Sequence, residues 1–381
     1  MGNKLVYLLS LCTMVLAGCS EKGRIVPEPQ PVQRGVYITL GVKSVSETGT
    51  GGTADIEYPV DEGGVMGGNQ HVKTVYLYIF SESGEYLACE DIGWEDYFSS
   101  GLPDGTASMK YKVKYEGFQY GEEYTFMALG LSDGAETLYG FPDAGETGDP
   151  ENITVSLADG QSWKGIGISE VFVGTESFVP GSGSDVTVEL FRRMAGVVGY
   201  FKNAPKEAVS IRISLYQRQN TQMPLLERQQ TPEFLDFINS PVSESEGKIL
   251  VDIALDGTLS PEQMISGGAY VMPAAAPVPG QITSEAEYTL KLELVAGDGT
   301  ILQTRRIRLP EDDGLNSGST GSGTGIIDTE SAYRYPVVAN HFYAIGSPDS
   351  PVDLQGEGGD LVITIDPTWE GEVDLGISEK Q

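Results

Sequence analysis

The sequence predicts an all-β protein made of two successive β-sandwich domains. Apolar and polar residues alternate over many short segments, which is typical of strands with one or both faces covered. Turn-forming residues separate these segments, because the chain contains 49 glycines and 21 prolines. No long helical period interrupts the series, and this favours sandwiches over a sheet with crossover helices.

The first series of predicted strands lies between residues 36 and 191. Its clearest member covers residues 72–80, where Val75, Leu77 and Ile79 share one face. A polar turn containing Gly84 then predicts a hairpin. The other predicted strands are residues 36–42, 85–89, 107–115, 124–131, 153–157, 170–178 and 185–191.

A second series follows a seam at residues 192–205. Its predicted strands are residues 209–215, 249–253, 288–294, 301–309, 342–345 and 361–365. Two short helices are also predicted, one beginning at Thr231 and one from a capping box at Ser260 that ends at Gly267. These series predict domains at residues 36–198 and 199–381, with a flexible Gly/Ser loop at 314–325.

The first residues have the pattern of a secretory signal. Lys4 precedes an apolar run at residues 5–16, and the run ends in Leu-Ala-Gly-Cys, which resembles a bacterial lipobox. We therefore expect residues 1–18 to be a lipoprotein signal peptide and Cys19 to carry lipid. A plain signal peptide and a signal anchor are the alternatives, although the run is short for a membrane span.

A proline-rich segment follows the expected lipid site. Residues 19–35 contain Pro27, Pro29 and Pro31, whose spacing favours an extended, semi-stiff tether. Ser20 follows Cys19, which resembles an outer-membrane sorting signal of Gram-negative lipoproteins. The sequence therefore predicts an exported, lipid-anchored, surface-exposed protein of the outer membrane.

Charge and cysteine content restrict the possible partners. The formal net charge is −31, so nucleic acid is not an expected partner, because phosphate backbones select basic surfaces. After Cys12 leaves with the signal and Cys19 is acylated, Cys89 is the remaining cysteine. Its apolar neighbours predict a buried structural thiol rather than a nucleophile.

Motifs of catalysis are not found in the sequence. The two histidines, His71 and His341, are interpreted as structural or surface residues. The chain has no G-x-S-x-G elbow, no C-x-x-C pair and no H-E-x-x-H motif. We therefore expect no enzyme activity, no metal site and no cofactor.

One aromatic cluster could bind a sugar. Trp94, Tyr97 and Phe98 lie beside two carboxylates, a combination suited to carbohydrate stacking. The alternative, which we favour, is a loop folded back on its own core, because aromatic side chains usually pack inward.

Several segments together resemble the fimbrial anchor subunit family of Bacteroidales. The resemblance rests on the lipobox with its tether and on four further segments in the same order along the chain. These are residues 75–80 with the turn at Gly84, residues 190–198, residues 335–343 and residues 361–369.

The resemblance implies two tandem transthyretin-like Greek-key β-sandwiches and a structural role in a surface fimbria, as the anchor at its base or as an accessory subunit. It also implies partners among stalk and accessory subunits, joined by β-strand addition, in which main-chain hydrogen bonds give affinity. In an anchor, residues 36–42 are expected to remain as the first strand. A surface glycan-binding lipoprotein and a fimbrial tip adhesin stay open as alternatives.

Overall fold

The structure is a computed structural model, and it describes part of the chain. The described residues are 35–42, 71–98, 101, 107–141, 153–159, 161, 169–181, 186–215, 222–225, 248–255, 257, 260, 262–273, 288–309, 332–335, 337, 339, 342–355 and 359–366. The expected signal peptide, Cys19, most of the tether, the helix at Thr231, the loop at 314–325 and His341 lie outside them.

The described part is nearly all β, as predicted. Its two short helices are α1 (Trp94–Tyr97) and α2 (Ala135–Leu138). Its strands are β1 (Tyr37–Val42), β2 (Val72–Ser81), β3 (Tyr86–Asp91), β4 (Ala107–Lys112), β5 (Tyr124–Ser132), β6 (Tyr139–Gly140), β7 (Thr154–Leu157), β8 (Val171–Phe178), β9 (Val186–Arg192), β10 (Ala195–Lys202), β11 (Ala208–Leu215), β12 (Gln222–Pro224), β13 (Lys248–Ala254), β14 (Ile265–Val271), β15 (Leu290–Ala296), β16 (Ile301–Arg308), β17 (Phe342–Ile345), β18 (Val352–Asp353) and β19 (Leu361–Asp366). Each predicted strand has a counterpart.

The first lobe, formed by β1–β5, β8 and β9, is one curled sheet in the order β3-β2-β5-β8-β9-β1-β4. The sheet turns a corner at β9, which pairs with β8 near its end and with β1 over residues 186–190. The two layers enclose a core that includes Leu40 of β1 and Leu77 of β2, both fully buried. Burial of alternate residues on each layer holds the layers together.

The second lobe, formed by β10, β11 and β13–β19, follows the order β13-β11-β15-β16-β19-β17-β10-β14, with β18 beside β10. Its core includes Ile213 of β11, Leu292 of β15 and Ile363 of β19, all fully buried. The corner of this sheet lies at β19, which pairs with β16 on one side and β17 on the other.

The two lobes repeat one topology. Each strand of the first lobe can be matched with a strand of the second lobe that has the same direction and the same neighbours in the sheet order. The parallel pair β1–β9, for example, matches the parallel pair β10–β17. It matches β1 with β10, β2 with β11, β3 with β13, β4 with β14, β5 with β15, β8 with β16 and β9 with β17. Among the described strands, β19 lies between β16 and β17 and has no counterpart between β8 and β9.

A third sheet and a shared core connect the lobes. The sheet has the order β12-β7-β6, so residues 222–224 hydrogen-bond with residues 154–156 of the other half. The junction core contains Leu129 and Val171 from the first lobe and Tyr200 from the second. The predicted boundary between residues 198 and 199 falls inside β10, and the domain division itself stays a prediction.

The predicted helix from Ser260 to Gly267 is wrong. Gln263 does accept a hydrogen bond from the Ser260 main-chain N–H at 3.3 Å, but the pair closes a turn. Glu262 has a φ of +68°, which a helix does not allow. Gly267 lies in β14, where a Cβ would come within 2.6 Å of Ile253 Cγ1, so β14 and β13 pack at this glycine.

The predicted burial of Cys89 is also wrong, because its side chain is exposed on the edge strand β3. Partial desolvation by neighbouring protein nevertheless raises the pKa of its thiol, which disfavours a reactive thiolate. The error arises because β3 directs Glu90, and not Cys89, toward the interior.

Candidate assembly interface and lobe junction

The strand β1 is built into the middle of the first lobe. It pairs with β4 on one side and with β9 on the other. Ile38, Leu40 and Val42 are at most 1% exposed, whereas Tyr37 is 48% exposed. The alternation fills the core on one face, so the first lobe depends on the first described strand of the chain.

Glu90 links the two edges of the first lobe. Its carboxylate accepts hydrogen bonds from the Tyr111 hydroxyl at 2.8 Å and from the Tyr115 main-chain N–H at 2.7 Å. It also accepts from the Lys114 main-chain N–H at 2.9 Å. Burial and the nearby Glu90 carboxylate raise the pKa of Tyr111, so its hydroxyl remains a proton donor. The bonds join β3 to β4 and to the chain that follows it.

A buried ion pair lies where the lobes meet. Nε of Arg192, at the end of β9, donates to Oε1 of Glu170 at 2.7 Å, and both side chains are fully buried. Nδ1 of His71 lies 2.8 Å from Oε2 of the same carboxylate. The Arg192 guanidinium also lies 4.9 Å from the ring centroid of Phe172 and 5.6 Å from that of Tyr270 in the second lobe.

The neighbouring Arg192 and His71 keep the Glu170 carboxylate ionised. Burial disfavours the ionised form of Glu170, but the adjacent Arg192 guanidinium and His71 outweigh it and hold the pKa of Glu170 below its ordinary value. Arg192 thus bridges a charge in the first lobe and an aromatic ring in the second. We did not single out this pair from the sequence, although the two adjacent arginines Arg192 and Arg193, which directly precede the apolar run 194–201 of a strongly acidic chain, are the signal that could have found it.

The structure brings the predicted aromatic residues together but not as an open platform. Trp94 is 1% exposed and belongs to the core of the first lobe. Its ring centroid lies 5.0 Å from that of Phe98 in an edge-on contact. Tyr97 is 52% exposed and packs edge-on against Phe98. One ring of the three therefore offers an accessible face, and sugar binding stays an untested prediction.

The described residues hold no group of three or more side chains arranged to bind a metal ion. In the same part of the chain, no helix combines the length and apolar character needed to cross a membrane.

Comparison with protein families supports the resemblance found in the sequence. Residues 46–223 match the family model of fimbrillin-A associated anchor proteins Mfa1 and Mfa2, which is just under half of the chain. The match supports a structural fimbrial subunit. No curated protein matches the chain.

Distant similarity extends to solved structures. One is a proposed adhesin from Bacteroides thetaiotaomicron, with 13% identity, a TM-score of 0.44 and coverage of 90% of this chain and 98% of that chain. The tip fimbrial protein Mfa3 from Porphyromonas gingivalis, with a C-terminal truncation, has 13% identity, a TM-score of 0.41 and coverage of 87% and 99%. The fimbrial anchor protein Mfa2 from the same organism has 11% identity, a TM-score of 0.36 and coverage of 88% and 97%. At this identity and TM-score the likenesses carry no argument about function.

Proposed function

We propose that this chain, which belongs over residues 46–223 to the family of fimbrillin-A associated anchor proteins, is the lipid-anchored base of a surface fimbria. In this proposal Cys19 carries lipid in the outer membrane after residues 1–18 are removed. The folded lobes then present a site at which a neighbouring subunit joins by β-strand addition. The role is structural, and no catalytic step is assigned to any residue.

The position of β1 is the observation that carries this proposal. An anchor must keep the connection between its lipid and its folded part under load. Because β1 lies between β9 and β4 with its apolar face buried, the first lobe is tied to the tether by main-chain pairing on both sides. The chain from Cys19 to Tyr37 can reach at most about 65 Å when fully extended, so the lobe would stay close to the bilayer.

Strand addition suits a protein of this construction. Its cores are formed by alternating apolar residues on curled sheets, and such sheets accept an added strand at an edge. An added strand that buries about four apolar side chains gains roughly 1.5–3 kcal/mol from each, before the cost of association.

The alternatives have less support. A glycan-binding surface would need accessible aromatic faces, and Trp94 is buried in the core. A tip adhesin would have the same two lobes, so the fold does not distinguish it from an anchor. The position of the protein in the filament does. No observation in the described residues favours either alternative.

Lipid attachment is tested with a Cys19→Ser variant expressed in the native cells. We expect the parent protein to incorporate a labelled fatty acid and to fractionate with the outer membrane, and the variant to do neither. Cys89→Ser is the matched control and should behave as the parent, because Cys89 lies in the folded lobe. Equal labelling of the parent and Cys19→Ser would contradict the proposal.

A further inference from the structure

Three lysines occupy one face of the edge strand β4 and of the residues that follow it. Lys110, Lys112 and Lys114 are exposed, and they alternate with Tyr111 and Val113, which are buried. The whole chain has 55 acidic residues against 24 basic ones. Three basic residues within five positions therefore concentrate positive charge on a protein whose net charge is −31.

These three lysines are not paired with carboxylates of the protein. In the part of the chain that the structure describes, none of their ammonium groups forms an ion pair with an acidic side chain. Lys73 and Lys202, by contrast, form ion pairs at 2.8 Å with Asp133 and Glu262. The charge on β4 is therefore available to an anionic partner from outside the chain.

The segment from the expected lipid site enters the first lobe beside these lysines. The main-chain N–H of Val113 donates to the carbonyl oxygen of Val36 at 3.0 Å, so the start of the lobe pairs with the end of the lysine series. A Cβ on Gly35 would lie 2.7 Å from Cε of Lys112. The chain that leads back to Cys19 thus passes directly along this face.

The neighbouring strand β1 adds an aromatic ring and no acid. Tyr37 registers with Lys112, and Nζ of Lys110 lies 5.9 Å from the centroid of the Tyr37 ring. Neither β1 nor β4 contains a carboxylate, and Glu189 of β9 registers with Gly41, toward the other end of β1. Tyr37 is 48% exposed, and a ring with an apolar body and a polar tip suits the boundary between a membrane and water.

We propose that this surface, called here the lysine face and made of Tyr37, Lys110, Lys112 and Lys114, rests on the phosphate groups at the surface of the membrane that holds the lipid of Cys19. The inference rests on the proposed function, because the lipid brings the lobe to the membrane. Lysines are attracted to an anionic membrane surface, but the attraction fades within about 8–10 Å at physiological salt. Contact therefore requires a tether that enters beside the lysines, as it does here.

Charge also selects the orientation of the first lobe. The rest of the chain is strongly acidic, so the phosphate groups repel it and attract the lysine face. An acidic protein could bind the same lysines, but the tether keeps the membrane at a high effective concentration before any other partner arrives. Lipid together with a basic patch also holds a protein on a membrane more firmly than lipid alone.

Fluorescence quenching at the membrane surface tests this contact. The mature chain, residues 19–381, carries an N-terminal histidine tag that binds nickel-chelating lipid, so its attachment does not require acylation. In a Cys19→Ser, Cys89→Ser background, a fluorophore is attached to Ser108→Cys, which is exposed on the same side of β4 as the lysines. Thr304→Cys, exposed on β16 of the second lobe, is the matched control position.

Two kinds of vesicle are compared, one of phosphatidylcholine and one of phosphatidylcholine and phosphatidylglycerol in equal parts. Both contain the same amounts of nickel-chelating lipid and of a lipid with a nitroxide quencher on its headgroup. We expect stronger quenching at residue 108 on the anionic vesicles, and we expect about 1 M salt to remove the excess. Quenching at residue 304 should not differ between the two kinds of vesicle.

Substitution of the lysines shows whether they cause the excess quenching. The combined variant Lys110→Gln, Lys112→Gln, Lys114→Gln should lose most of it, because each lysine near an anionic surface contributes to the attraction. The combined variant with Arg at the same three positions should retain it. Thermal melting checks that both variants fold.

A control variant separates the lysine face from net charge. Lys73→Gln, Lys202→Gln and Lys206→Gln together change the net charge by the same amount and should keep the excess quenching. Equal quenching at residue 108 on both kinds of vesicle, no loss in the glutamine variant of the lysine face, or an equal loss in the control variant would overturn the inference. Because the tag replaces the lipid, none of these results bears on acylation of Cys19, which fatty-acid labelling measures separately.

Discussion

Arg192 and Glu170 form a 2.7 Å ion pair with both side chains fully buried, at the place where the two lobes meet. The guanidinium also contacts the ring of Tyr270 in the second lobe. A charge taken out of water is tolerated when it is paired and hydrogen-bonded, and its partner then becomes costly to remove. The junction is therefore sensitive to single substitutions.

Removal of the arginine should strongly destabilise the protein. We expect Arg192→Met to lower the free energy of unfolding by about 3–5 kcal/mol, because Glu170 would lose its main buried partner. Urea denaturation measures this loss. The control is Arg212→Met, whose pair with Asp252 is partly exposed at 3.1 Å and should contribute about 0–1 kcal/mol. Similar losses for both variants would contradict the assigned role of burial.

The same pair predicts a pH dependence. The folded-state pKa of Glu170 is lowered from an ordinary value of 4.5, because Arg192 and His71 outweigh the effect of burial. Its stabilising contribution is fully present above that value and is lost as the pH falls through the lower folded-state pKa. Glu170→Gln removes this titration.

Thermal melting of the parent and Glu170→Gln from neutral pH to about pH 3 measures the effect. We expect the difference in stability between the two proteins to shrink as the pH falls below 4.5, the ordinary pKa of a glutamate side chain. A difference that stays constant over the whole range would show that Glu170 is not the titrating group.

Because β1 is buried in the core of the first lobe, we predict that this lobe does not fold without it. Leu40→Ala should cost about 2–5 kcal/mol, because Leu40 is fully buried in the core. Tyr37→Ala, at an exposed position of the same strand, should cost far less. Deletion of residues 36–42 should unfold the first lobe, and a deletion variant that melts like the parent would contradict this account.

Substitution of the buried Trp94 should destabilise the protein far more than substitution of the exposed Tyr97. Trp94→Ala should cost about 3–5 kcal/mol, because it empties a site in the core of the first lobe. Tyr97→Ala should leave stability nearly unchanged. A glycan array probed with the parent and with Tyr97→Ala tests sugar binding separately, and a sugar signal lost in Tyr97→Ala would revive the glycan-binding alternative.

The strands could be predicted from the sequence because their cores are built from local alternation. In β2, for example, Val75, Leu77 and Ile79 are all fully buried on the face that the pattern indicates. The failures have identifiable causes. The capping pair at Ser260 does form, but the conformation of Glu262 and the close packing of Gly267 on Ile253 place a strand there.

The lobe junction could not be predicted in the same way. Glu170, Arg192 and His71 are far apart in the sequence, and no short-range pattern relates them. Their contact depends on how β9 turns the corner of the first lobe and approaches β14 of the second. Two tandem sandwiches were expected, but the strand-by-strand match between the lobes was not visible in the sequence, because it is a match of strand order and direction.

The position of the protein in the filament tests most directly whether it forms the base of a fimbria, as proposed. Fimbriae are isolated from native cells in detergent with this protein attached, and immunogold electron microscopy locates the chain. We predict gold at one end of the filament, the end that lies at the membrane in intact cells. Gold at the distal end, along the shaft, or on protein without filaments would contradict a position at the base.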